Sequence, residues 1–156
     1  MILERTKDED LITKVVAHPK VYPWVSEDGS PKAEDWKPEA SNDRIFYVLV
    51  KEAGIILGLF AIIPENSVCY QIHTCLLPCS YGMLAKQAAK EIVDWVWRNI
   101  PECKRLVGQV PAFNRLALKY GFESFKMTQY GKNPKSFLKR GKLHDVILLG
   151  ISRPGA

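Results

Sequence analysis

The junction at residues 68–99 constrains this chain more than any other segment. A β-rich run, Val68 to Leu77, is broken by Pro78-Cys79-Ser80-Tyr81-Gly82 and followed at once by an amphipathic segment from Met83 to about Asn99. In the first run, alternation puts Val68, Tyr70, Ile72 and Thr74 on one face and Cys69, Gln71, His73 and Cys75 on the other, as a strand requires. In the second, Ala85, Ala88, Ala89, Ile92, Val93 and Val96 recur at helical spacing, and Pro101 follows the end. A strand that turns through a glycine into a helix brings free N–H groups to the turn, a geometry that binds phosphate oxygens. Any strand–turn–helix unit offers as much, so the surrounding elements decide its use.

Those elements read as follows. Residues 2–6 suit a short strand, and Asp8 to Ala17 a helix carrying Leu11, Ile12, Val15 and Val16 on one face and ended by Pro19. Residues 18–43 are broken by Pro19, Pro23, Gly29, Pro31 and Pro38 and read as a long loop with room for a short helix; a loop of that length in a compact domain is often functional. Tyr22, Trp24 and Trp36 read as its anchors on the core. Arg44 to Lys51 and Gly54 to Ile63 form strands around a hairpin turn at Glu52-Ala53-Gly54, and Pro64-Glu65-Asn66 makes the next turn. After the long helix come a short strand, Leu106 to Val110, a short helix, Asn114 to Tyr120, and a strand opening at Gly121 and running to about Tyr130. Residues 131–142 read as a basic loop, exposed and mobile until a partner binds, and Asp145 to Ser152 as the last strand. With no repeat and no linker, residues 1–156 are expected to form a single domain. The order implies an α/β (α+β) fold: a mixed, mostly antiparallel sheet of six or seven strands with helices on both faces. The strand ending at Leu77 and the strand at 106–110 are expected to run parallel and splay, leaving a cleft.

Charge is unevenly spread. Residues 1–100 hold 11 Lys and Arg against 14 Asp and Glu, and residues 101–156 hold 11 against 3. The basic C-terminal third suits an anionic partner, whether a nucleotide cofactor, an acidic protein or a nucleic acid, or else a solvated surface. Nucleic acid fits worst, because the basic residues lack interleaved aromatic rings for stacking. No apolar run approaches the roughly 18 to 20 residues of a membrane span, and the start, Met1-Ile2-Leu3-Glu4-Arg5, turns acidic too early for a signal peptide. A cytoplasmic location is the expectation. Cys69, Cys75, Cys79 and Cys103 form no CxxC pair and are read as reduced thiols, with no metal site despite the nearby His73.

With these residues in place, the chain resembles the GNAT superfamily of acetyl-CoA-dependent N-acetyltransferases. Ile72-His73-Thr74-Cys75-Leu76-Leu77-Pro78 followed by Tyr81-Gly82 looks like the fourth strand entering the family's acetyl-CoA loop. Asn114-Arg115-Leu116-Ala117-Leu118-Lys119-Tyr120-Gly121-Phe122 looks like a shortened form of the family's later Gly-Phe segment, and Asp145 to Ile151 like its closing strand. Within the superfamily the runs "IHTCLLP" and "VPAFNRLALKYGF" are most similar to divergent proteins of tailed bacteriophages, some associated with head assembly or the virion. The loop departs from the family pattern: Leu84 stands where a small residue is usual, Tyr81 where an Arg is usual, and Tyr120 falls about one helical turn from the family's proton-donating Tyr.

The resemblance implies an acetyl-CoA site along Leu76, Leu77, Ser80, Tyr81, Gly82, Met83 and Leu84, with Lys86 adding charge one turn later and Asn114 on the pantetheine side. Asn114 also suits a helix N-cap. Among titratable groups on the face it shares with Gln71, His73 alone suits general-base work near neutral pH, so the pair forms the candidate catalytic set. A hydrogen-bonded core histidine is the competing reading, and His18 and His144 are expected at the surface. Trp95 and Trp97 cannot share a helix face, and an exposed one would mark an interface, which keeps a homo-oligomer open. Two functions stay open: acetyl transfer to a small-molecule or protein amine in the cytoplasm, or a weakly catalytic phage protein, acting in host cytoplasm or virion among phage structural proteins.

Overall fold

A computed structural model describes residues 1–156. The strands are β1 (Ile2–Thr6), β2 (Phe46–Glu52), β3 (Ile55–Pro64), β4 (Cys69–Leu76), β5 (Arg105–Pro111), β6 (Thr128–Lys139) and β7 (Lys142–Ser152). The helices are α1 (Glu9–Val16), α2 (Tyr22–Val25), α3 (Met83–Asn99) and α4 (Arg115–Lys119). One sheet takes all seven strands in the order β1-β2-β3-β4-β5-β7-β6. Every neighbouring pair is antiparallel except β4 with β5, which run parallel.

The alternation of the strands divides the core in two. On one face, Phe60, Ile62, Tyr70, Ile72 and Leu106 meet Ala88, Ala89, Ile92 and Val96 of α3 in a cluster of 19 buried residues. On the other, Leu49, Leu59, Ala61 and Cys75 meet Ile12, Val15 and Val16 of α1 and Val21 and Tyr22 in a cluster of 12. The α1 helix starts where the sequence gives it a cap: the Asp8 carboxylate accepts the Leu11 N–H at 3.2 Å. The α3 face is the better sealed because a helix of 17 residues lies along it.

The segment at 18–43 holds α2 and a 3₁₀ turn at Ala33–Asp35. Tyr22 anchors it as expected, buried and donating its hydroxyl to the Pro31 carbonyl at 2.6 Å, and Trp36 packs against the α1-side cluster. Trp24 does not anchor it; 60% of this side chain is exposed. On α3, both Trp95 and Trp97 are half-buried, Trp95 edge-on to Phe46 and Trp97 beneath the Arg153 guanidinium.

Two further expectations need correction. Residues 120–124 form a π-helical turn rather than the start of a strand, with the Phe125 N–H bonded to the Tyr120 carbonyl at 3.1 Å. Gly121 is buried so tightly there that a Cβ would stand 2.6 Å from a Leu149 methyl. Residues 131–142 are not a mobile loop but most of a long hairpin, β6 paired with β7. Its two-residue turn, Arg140-Gly141, has both φ angles positive, at 52° and 71°, as the tightest hairpin turns require. Pro134, which cannot donate a ladder bond, falls in the register break between Asn133 and Phe137, where a proline does least harm. The tip is clamped from outside the hairpin. Asp28 accepts the Arg140 and Gly141 N–H groups, each at 2.8 Å, and the Lys139 ammonium donates to the Pro23 and Ser26 carbonyls.

Candidate active site

The two parallel strands are paired at only three positions, Cys69–Arg105, Tyr70–Leu106 and Gln71–Val107. β4 then continues to Leu76 and β5 to Pro111 without touching in register, which is the expected splay. Beyond Gln71 the β5-facing backbone of β4 has no strand partner. An unpaired edge inside the molecule can take an extended ligand in place of a strand. The cleft opens at the C-terminal ends of β4 and β5, where the chain turns into α3.

His73 stands where the strands begin to part, opposite Ala61 of β3 and on the α1 face with Gln71 and Cys75. Its Nε2 lies 3.2 Å from the Gln71 Oε1, and the Gln71 amide nitrogen donates to the Glu65 carboxylate at 2.7 Å. This chain has a direction. An ionised carboxylate only accepts, so the Gln71 amide must turn its NH₂ toward Glu65 and its oxygen toward His73. The histidine therefore carries its proton on Nε2 and keeps the Nδ1 lone pair free. Burial holds the His73 pKa below the ordinary histidine value, so the ring is neutral at neutral pH. The sequence marks Glu65 only as part of a turn. The β3–β4 hairpin carries it to the end of the relay, with its N–H bonded to the Cys69 carbonyl at 2.9 Å. The Cys75 thiol, on the same face, is buried and pushed up to about 12, which makes it an inert core residue.

The turn after β4 is held by backbone bonds. The Leu77 N–H donates to the Leu57 carbonyl at 2.8 Å, and Leu76 is buried. Ser80 is fully buried and donates its hydroxyl to the Leu77 carbonyl at 2.7 Å, so its side chain closes the turn rather than facing the cleft. Gly82 has φ 97° and ψ −131°, a conformation open to glycine and closed to other residues, and no atom outside its chain neighbours lies within 4 Å of where a Cβ would stand. No side chain caps α3, whose first internal bond runs from the Lys86 N–H to the Gly82 carbonyl. The first-turn N–H groups are thus free, and Tyr81 and Met83 beside them are 57% and 78% exposed. Leu84 packs against the α3-side core.

Asn114 does what a cap residue does: its carboxamide oxygen accepts the Ala117 N–H at 3.2 Å. Tyr120 is committed elsewhere. Its hydroxyl donates to the Ala85 carbonyl of α3 at 2.5 Å, its ring packs edge-on against Phe125, and burial raises its pKa. No group of three or more His, Cys, Asp and Glu side chains is placed to hold a metal ion, and no helix is long and apolar enough to cross a membrane.

A cavity of about 370 Å³ lies between α2 and the tip of the β6–β7 hairpin, lined by Trp24, Phe113, Lys139, Arg140, Lys142 and His144 together with Pro23. His18 lies apart from both sites and accepts the Lys20 N–H on its Nδ1.

No family model matches the chain, and no curated protein matches it by sequence. Solved structures do match it by shape. A spermidine N-acetyltransferase from Vibrio cholerae, in complex with CoA and spermine, superposes with a TM-score of 0.79 at 15% identity, covering 98% of this chain and 95% of that one. A ribosomal-protein-alanine N-acetyltransferase from Brucella melitensis gives 0.73 at 11% identity, covering 98% and 100%. The putative acetyltransferase yncA from Salmonella typhimurium, with acetyl-CoA, gives 0.72 at 15% identity, covering 97% and 93%. The chain therefore has the GNAT fold along nearly all of its length.

Proposed function

We propose that the protein is an acetyl-CoA-dependent N-acyltransferase. One observation carries this reading: the parallel pair β4–β5 is joined at three positions and then open, and its mouth lies at the uncapped N-terminus of α3. That arrangement supplies what a nucleotide thioester needs, an unpaired strand edge for an extended amide-bearing arm and free N–H groups at a helix start for phosphates. Structures of the same fold hold CoA in the Vibrio cholerae protein and acetyl-CoA in the Salmonella typhimurium one. The backbone of Gly82, Met83 and Leu84 is assigned to the phosphates, with Lys86 one turn on and Tyr81 flanking. The β4 edge through Leu76 and Leu77 is assigned to the arm, which Asn114 approaches from beyond β5. Ser80 acts by holding the turn. When bound, acetyl-CoA supplies an acetyl group activated as a thioester.

The chain's own residues have two tasks. His73 accepts the amine proton on Nδ1 as the N–C bond forms and returns it to the departing sulfur as the thioester C–S bond breaks, and the free β4 N–H groups stand ready to donate to negative charge on the acyl oxygen. Gln71 and Glu65 hold the histidine in the tautomer that leaves Nδ1 free. Release of free thiol from acetyl-CoA in the presence of an amine pool tests the reading. His73→Ala is expected to lower turnover by roughly 10²-fold, the usual worth of a general base, with acetyl-CoA affinity unchanged. Wild-type turnover in that variant would remove His73 from the chemistry. The acid limb of the wild-type rate profile should lie below the ordinary histidine value, because burial favours the neutral ring. The alternative is a GNAT-fold protein of tailed bacteriophages with a role in head assembly or the virion. The commitment of the Tyr120 hydroxyl to the Ala85 carbonyl takes a proton donor out of the chemistry and favours weak catalysis, and failure of the wild type to bind CoA would select a non-catalytic role.

A further inference from the structure

The cavity beside α2 faces the same side of the sheet as His73. β5 residue Val107 pairs with Gln71 of β4 and with Gly150 of β7, and partners in register share a face, so Gln71 and His73 lie on the side of Gly150, Leu148, Val146 and His144. α2 lies on that side too, since Val21 and Tyr22 pack in the α1-side cluster with Cys75. Phe113 lies just past the end of β5, at the end where the cleft opens. The cavity therefore lies on the His73 side of the sheet, beyond the C-terminal end of β5, and away from the α3 turn, none of whose residues lines it.

Its chemistry is one-sided. Lys139 and Lys142 are direct cross-strand partners, with Arg140 between them at the turn. Like charges placed opposite one another destabilise a hairpin, and none of the three belongs to an ion pair. No carboxylate lines the cavity. The nearby Asp28 is held below the usual carboxylate range first by the Gly141 N–H, then by that of Arg140, and both its oxygens are taken by those backbone groups. Lys139 is engaged by two carbonyls, which leaves the Arg140 and Lys142 cations exposed and unpaired. The walls are rings: exposed Trp24 on one side, and on the other Phe113, packed on His144 with centroids 4.5 Å apart.

We infer that this cavity is the acceptor site and that it takes an amine bearing both an anionic group, carboxylate or phosphate, and a flat apolar body. The inference rests on the acyltransferase reading for the word acceptor, and on the cavity alone for the ligand chemistry. The anion pairs with Arg140 and Lys142, the ring lies between Trp24 and Phe113, and the amine faces the C-terminal end of β5. A polyamine brings only positive charge and is repelled.

Four amines test this: phenylalanine, O-phosphotyramine, phenylalaninamide and spermidine. Each is measured for thiol release from acetyl-CoA and, without acetyl-CoA, for binding by calorimetry. Phenylalanine or O-phosphotyramine should exceed both phenylalaninamide and spermidine by at least about tenfold in kcat/KM, as loss of a charge-assisted contact predicts; which of the two leads decides between carboxylate and phosphate. Lys142→Glu should raise KM for the anionic amine about tenfold with kcat little changed. Arg140→Asn removes the second charge while keeping a residue that tolerates the turn conformation. Trp24→Ala should weaken the ring-bearing amines and leave spermidine as it was. Thiol release with spermidine preferred, or anionic-amine binding unmoved by Lys142→Glu, overturns the inference and leaves the acyltransferase reading standing. Lys142-dependent binding of phenylalanine or O-phosphotyramine with no thiol release from any amine does the reverse: the cavity assignment holds and the acyltransferase reading falls.

Discussion

The two faces of the sheet do different work. The α3 face buries 19 hydrophobic residues in one cluster, and its tyrosine hydroxyls each close on a single partner, Tyr70 on Glu102 and Tyr120 on Ala85. The α1 face buries 12, and the space it leaves open holds the Glu65–Gln71–His73 chain and the basic cavity. Both faces are made by the same strands, residue by alternate residue. The difference shows how one sheet can be stabilised mainly from one side while the other side carries a polar relay and a basic cavity.

Substitutions on the two faces should therefore separate stability from chemistry. The largest stability loss is expected from Ile92→Ala, at a fully buried α3 position where truncation costs about 2–5 kcal/mol; denaturant unfolding would measure it, and the protein that remains folded should bind CoA as the wild type does. A loss below about 1 kcal/mol would mean that the α3 face does not dominate stability. Met83→Asp, at the first position of α3, sets helix stability against ligand binding. An acid there stabilises the helix by about 0.3–1 kcal/mol, while its charge at the proposed phosphate site should weaken CoA by about tenfold. Melting temperature and calorimetry should move in these opposite senses, and joint loss of both would point to a folding defect instead. Glu65→Gln removes the acceptor that orients Gln71. Turnover should fall roughly two- to tenfold, the worth of one hydrogen bond, with acetyl-CoA affinity and melting temperature held.

The smallest effect is in the pH dependence of stability. The folded protein holds His73 with a lowered pKa because burial disfavours the charged ring. Below the ordinary value near 6.5 the unfolded chain binds a proton that the folded chain refuses, so stability is lost as pH falls from there through the folded value. His73→Gln should flatten that part of the curve, and an unchanged slope would mean the ring is solvated.

Much of this arrangement was legible in the sequence. α3 spans the residues that its apolar period marks, Asn114 caps a helix, and β4 and β5 run parallel and part. These features rest on local patterns or on element order. What sequence reading missed depends on remote contacts. Gly131, Pro134, Gly141 and the basic residues around them spell a loop, yet Asp28 and the carbonyls of Pro23 and Ser26, more than 100 residues earlier, hold that segment as a hairpin tip. The turn at Tyr120 reads as a strand entrance because nothing local reveals that its hydroxyl reaches Ala85, 35 residues away. Glu65 carried a findable signal: in a tight hairpin, an acid just before the turn faces the residues that follow it, and a strand-borne Gln and His two residues apart share that face.

The most direct test of the central claim is calorimetry of the wild-type protein and of Met83→Asp with CoA and acetyl-CoA. One site per chain is expected, bound by both ligands and weakened about tenfold by the substitution. No heat of binding with the folded wild-type protein, or equal affinity in the two proteins, would contradict it.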